Sequence, residues 1–131
     1  MITMTNNKAE IIKATYEAED SLIGAILVES TDGTRDAINK VAPILSSADF
    51  YNDMNRRIYE AMLKCPEPPH QINVARQMVI DGSLVDGAVS YLCHCVSEAP
   101  CSLDYMDYAL SVKAYSEMRQ GYTPKVIKGA I

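Results

Sequence analysis

A chain of 131 residues and 14.4 kDa has room for one domain and excludes two full catalytic domains. Its 48% hydrophobic and 22% charged residues are those of a chain that folds unaided, which excludes a disordered tail or a membrane span. Seventeen acids against twelve bases give a formal charge of -5, which repels a phosphate backbone and argues against a free-standing DNA binder unless its bases gather on one face.

In chain order, residues 1–16 form an extension with Lys8 and Lys13 but no apolar stretch and no small-residue cleavage pattern, so no secretory signal is expected. A first helix is predicted from Glu17 to Val28, with Glu17, Glu19 and Asp20 in its first turn, where acids favour the positive dipole end. Leu22 with Ile26 and Ile23 with Leu27 make its buried stripe. Gly24 in the middle costs about 1 kcal/mol against Ala, a loss most easily accepted where another helix backbone comes close.

Ser30, Thr31, Asp32 and Gly33 are a turn cluster, and a short helix then runs to Val41, ended by the restriction before Pro43. Asn52 is the expected N-cap of the clearest helix, in which Met54, Ile58, Ala61, Met62 and Cys65 share one face before Pro66, Pro68 and Pro69 stop it. Asn73 is the expected cap of a short amphipathic helix with Val74, Ala75, Met78 and Val79 inward, closing at Gly82. Another starts near Asp86 with Val89, Leu92, Cys93 and Val96 inward and is bounded by Pro100. Ser102 is the expected cap of the longest, Leu103 to Gln120, with Leu103, Met106, Leu110, Ala114 and Met118 on one side. Gly121 and Pro124 end it, leaving 121–131 as a tail or linker stub. The predicted fold is all-α, a compact orthogonal bundle of about six helices.

Few residues suggest chemistry. Gly82 and Gly87 have the glycine spacing of a phosphate-binding loop, but Ala88 and Val89 follow where a lysine and a hydroxyl are needed. Cys93, His94, Cys95 and Cys101 could offer a zinc tetrahedron, yet positions 93 and 95 diverge by about 200° on a helix and no Cys-x-x-Cys knuckle is present, so buried thiols and a surface His are expected. No catalytic, cofactor-binding or metal site is expected. Four scattered cysteines and no transmembrane segment suit a reducing cytoplasm. The pairs Asp104 with Asp107 and Glu17 with Asp20 read as helix-start charges. Arg56, Arg57 and Arg119 read as a solvated face. Among eight tyrosines, Tyr105, Tyr108, Tyr115 and Tyr122 crowd the last helix and its end, a density that suits a partner interface as well as core packing with a wet hydroxyl.

The string Glu17-Ala18-Glu19-Asp20-Ser21-Leu22-Ile23-Gly24-Ala25-Ile26-Leu27 resembles the opening helix of the N-terminal domain of DnaB-type bacterial replicative helicases. Ser47-Ala48-Asp49-Phe50-Tyr51 followed by Arg56-Arg57-Ile58-Tyr59-Glu60-Ala61-Met62 is similar to that family's "DFY" and "IFEAM" block. Asp81-Gly82-Ser83-Leu84, Ser90-Tyr91-Leu92, and Ala99-Pro100-Cys101-Ser102 leading to Tyr108-Ala109, Val112 and Arg119 are similar to its later blocks, in the same order.

The resemblance implies a non-catalytic collar domain over 17–120, whose last helix is the first arm of a helical hairpin. It implies partners among primase, loader and neighbouring helicase subunits, with self-association as dimer or hexamer collar, and no direct nucleic-acid or membrane contact. Tyr105, Tyr108, Tyr115 and Arg119 are the interface candidates. ATP and magnesium would belong to a separate motor domain of an ATP-dependent DNA helicase. The alternative is a stand-alone phage or plasmid regulator that mimics the collar and competes for host primase or helicase. Three departures stand out: Asn55 where the family often has His, a short proline-rich connection after Cys65, and no second hairpin arm or motor within these residues.

Overall fold

A computed structural model describes residues 4–99 and 104–121, and among them the chain is all-α with no strand. The helices are α1 (Met4–Glu29), α2 (Asp36–Val41), α3 (Asp53–Lys64), α4 (Gln71–Asp81), α5 (Ala88–Glu98) and α6 (Tyr105–Arg119), with short 3-10 turns at Ser30–Asp32 and Ser47–Asp49. The 26 residues of α1 make a rod about 39 Å long, and α5 and α6 pack most extensively on it. Its stripe of Leu22, Ile23, Ile26 and Leu27 is fully buried, as the sequence predicts, and meets Ile38, Ile58, Met62, Met78 and Leu92 from the other helices.

Gly24 is the reason α5 can lie so close. A Cβ there would sit 2.0 Å from the carbonyl oxygen of Cys95, so only glycine admits that backbone crossing. Asn52 caps α3 as expected: its side-chain oxygen accepts the Met54 N–H at 2.8 Å. Gly82 closes α4 in the left-handed region at φ 71°. Gly87, at φ 86°, leads into α5, so the two glycines punctuate helices.

Four expectations are corrected. The first helix begins at Met4, so Glu17, Glu19 and Asp20 lie in mid-helix, beyond the reach of the terminal dipole. His70 rather than Asn73 caps α4: the Asn73 N–H points at His70 Nδ1, and Asn73 lies buried inside the first turn, its amide donating to the Pro68 carbonyl at 2.9 Å. In α5 the inward residues are Ala88, Leu92 and Cys95, whereas Val89 and Cys93 face out. In α6 the deepest residues are Tyr105, Ala109, Val112, Ala114 and Ser116, so the helix lies on α1 with its small side chains and leaves Met106, Leu110 and Met118 half-buried. Ser102, Leu103, Cys101, Tyr122 and the 122–131 segment lie outside the described residues.

Candidate functional site

Two buried carboxylates organise the polar interior, and both hold the segment that leads into α3. Glu19 is fully buried on α1, on the same side as Leu22 and Ile23. Its oxygens accept the backbone N–H groups of Tyr51 at 2.7 Å and Asn52 at 3.1 Å, and the Asn55 amide at 3.3 Å. A carboxylate supplied from α1 thus meets the open backbone donors just ahead of α3, where the helix dipole favours negative charge. Burial nonetheless raises the Glu19 pKa above its ordinary 4.5, against the lowering effect of those hydrogen bonds and of Arg119.

Asp49 holds the other end of the same segment. Its carboxylate closes a capping box with the Ser46 N–H at 2.9 Å, and accepts the Ser116 hydroxyl at 2.8 Å and the Lys113 ammonium at 3.4 Å, both from α6. Burial alone would raise this group, but the Ser46 N–H, the Ser116 hydroxyl and Lys113 together bring it below its ordinary value. Arg119 completes the tie: its Nη2 donates to the Asp49 carbonyl at 2.8 Å, and its guanidinium lies 5.0 Å from the centre of the Tyr51 ring.

Asp20 forms a third centre beside the first. It accepts the Asn55 amide at 3.0 Å and the Tyr91 hydroxyl, and His94 Nε2 lies 3.5 Å away. Burial and the neighbouring Asp20 push the Tyr91 hydroxyl far above the ordinary tyrosine range, which keeps it a phenol and a donor. An open cleft of about 240 Å³ next to this group is lined by Glu17, Asp20, Ser21, His94 and Glu98. Among the described residues no hydrogen bond joins Ser21 to His94, so a nucleophile and base are not paired. No described group of three His, Cys, Asp or Glu side chains could hold a metal ion. Cys93 is exposed and accepts from the Gln71 amide, and Cys95 is buried on the opposite side of α5.

The interface candidates divide. Tyr105, at 9% exposure, is packed into the core; Tyr108 and Tyr115 are half-buried on α6; Arg119 is engaged with Asp49 and Tyr51. Arg56 and Arg57 both pair with Asp53 on the exposed flank of α3, as a solvated face requires. Sequence reasoning missed the role of Glu19. The available signal was an acid on the apolar stripe, four residues from Ile23 and three from Leu22.

The outer surface has the opposite character. Ile72, Val79 and Ile80 on α4 are 73%, 61% and 69% exposed, and Val89 on α5 and Leu84 and Val85 in the connection between the two helices are exposed as well. Val79, read from sequence as inward, belongs to this outer set. The inward side of α4 is carried by Val74 and Met78, with Asn73 buried and Ala75 partly buried against the core, so the helix is apolar on two sides.

No described helix is long and apolar enough to cross a membrane. The sequence profile of the DnaB-like helicase N-terminal domain matches residues 12–114. The chain is 28% identical over 108 residues to the replicative DNA helicase DnaB of Geobacillus stearothermophilus, a match that takes in 79% of this chain and 23% of that protein. It thus spans about a quarter of the length of that curated relative. The crystal structure of the N-terminal domain of DnaB helicase from Mycobacterium tuberculosis superposes with a TM-score of 0.72 at 28% identity, covering 80% of this chain and 74% of that one. With more than half of its length matched by the family profile, the chain belongs to the family of DnaB-like helicase N-terminal domains.

Proposed function

We propose that this chain is a docking domain of the DNA replication machinery. It binds primase, a helicase loader or neighbouring helicase subunits, and the ATP-driven unwinding of the parent helicase resides in a separate motor domain. The observation that carries this reading is the family match over residues 12–114, joined to an interior whose buried acids, Glu19 and Asp49, are both occupied by internal hydrogen bonds. A domain built this way offers surfaces rather than a reaction centre.

Within it, residues 17–120 act as the collar unit in the cytoplasm, and Tyr108 and Tyr115 on α6 serve contacts between neighbouring subunits. Sedimentation of the purified chain, alone and mixed with primase or replicative helicase from the same cell, tests the reading. Co-sedimentation with either protein is expected, without ATP turnover by the chain alone. Independent sedimentation in both mixtures, or hydrolysis of ATP by the pure chain, contradicts it.

A further inference from the structure

We propose that the exposed face of α4, with Val89 of α5 at its border, is a seat for an acidic amphipathic helix of a partner protein. The inference rests on the docking reading and names the surface and the chemistry of what it takes. Ile72, Arg76, Val79 and Ile80 follow one another at helical spacing on the outer side of α4, so three apolar side chains share a face with one arginine. α5 lies alongside, tied where the Gln71 amide donates to Cys93 Sγ at 2.9 Å, and extends the apolar surface with Val89. Two neighbouring helices with an outward apolar strip form the seat into which a third helix lays its own anchors at one-turn intervals.

Charge selects the occupant. The chain as a whole carries -5 and Asp86 lies in the connection to α5, with Asp81 turned to Lys64, yet the charge within the run from Ile72 to Ile80 is the cation Arg76. Its Nη2 reaches Asn73 Oδ1 and Glu67 Oε2, the latter at 3.5 Å across a half-exposed pair. Nε and Nη1 make no bond with any described residue, so the fork retains donors for a carboxylate placed between a partner's apolar anchors. A second copy of the chain fits poorly. Arg76 is midway between Ile72 and Ile80, so antiparallel pairing of two α4 helices about a two-fold axis sets Arg76 against its symmetry mate. A nucleic acid has no use for three aliphatic anchors on a chain of this charge.

The probe is a synthetic helical peptide with leucines at i, i+4 and i+7 and a glutamate between them, alongside the same peptide with lysine in place of glutamate. Backbone amide NMR shifts of the full chain report the site, and anisotropy of the labelled peptide reports affinity. The glutamate peptide is expected to bind saturably, moving the resonances of α4 and of Val89, and about fivefold more tightly than the lysine peptide. Arg76→Glu is expected to invert that preference, and Ile72→Ser with Ile80→Ser to abolish binding, while the melting temperature stays that of the wild type. Shifts confined to other helices, equal binding of both peptides, or no saturation overturn the proposal. So does a chain that sediments as a dimer and is made monomeric by Ile80→Ser, because a second copy then covers the face. Primase or helicase that still co-sediments with the Ile72→Ser, Ile80→Ser variant overturns this face and leaves the docking reading standing; loss of co-sedimentation by the wild type refutes the docking reading, while the peptide measurement still decides the face.

Discussion

The junction of α1 with the start of α3 and the outer side of α4 distribute polarity in opposite ways. At the junction, carboxylates are inside: Glu19 has no exposure and Asp49 is 4% exposed. On α4, aliphatic side chains are outside, with Ile72 the most exposed large apolar residue among those described. A buried acid is tolerable only when its oxygens are filled, and Glu19 and Asp49 are filled from within the chain. An exposed apolar group makes no such demand, and three on one helix face are costly to solubility unless something covers them. The contrast separates what positions the fold from what is left for a partner.

Changes in the interior, at this junction and where α5 crosses α1, should therefore act on stability, and changes on the outer side of α4 on binding. The largest effect is expected from Gly24→Ala, because the added methyl meets backbone at Cys95 and α1 and α5 must part. A loss of about 3 kcal/mol or more is expected in urea unfolding, and a near-neutral result would show that α5 does not cross α1 at Gly24. Next comes Glu19→Ala, which leaves the part-buried Tyr51 and Asn52 N–H groups without their acceptor, while the Asn55 amide keeps its bond to Asp20. It should cost about 2 to 3 kcal/mol, read from the same unfolding curves.

The pH dependence sharpens the contrast between the two acids. Asp49 has a lowered folded pKa, so its contribution is present above its unfolded value and is lost as pH falls through the folded one. Glu19 has a raised folded pKa, so its linkage has the opposite sign: the folded state holds the proton more tightly, and stability falls as pH rises from the unfolded value through the folded one. Urea midpoints across the acidic range should show Asp49→Asn removing the loss below the ordinary carboxylate range, and Glu19→Gln removing the decline above 4.5. Identical profiles for the two variants would contradict the assignment. The smallest stability effect is expected from Ile80→Ser, within about 0.5 kcal/mol of the wild type, because its side chain is already in water. A large loss of stability there would place Ile80 in the core and dissolve the comparison.

Much of the framework is legible in the sequence because it depends on neighbours a few residues away. The stripe of Leu22, Ile23, Ile26 and Leu27, the Asn52 cap and the Gly82 closure are all local patterns, and each is found in place. Gly24 is legible too, since a mid-helix glycine costs stability unless backbone comes close. Glu19 was not legible as a tie, because its partners Tyr51, Asn52 and Asn55 lie more than thirty positions away. Local chemistry offered only the dipole of a helix start, and the helix in fact starts at Met4. The orientation of α6 was misjudged for a related reason. Ala114 is on the core side as expected, but the rest of that side is Tyr105, Val112 and the small Ala109 and Ser116, the last two of which a search for large apolar side chains passes over. The outward set on α4 was hidden because Val74, Met78 and Val79 are equally apolar, and only packing on α3 and α5 decides which of them is covered.

The most direct test of the account is amide hydrogen exchange of the intact chain, alone and with saturating primase or replicative helicase from the same cell. A docking domain that uses the face left exposed by its fold should show partner-dependent slowing along α4 and the start of α5, with the Glu19-held start of α3 already slow in the free chain. Slowing confined to other helices, or none with either partner, would contradict it.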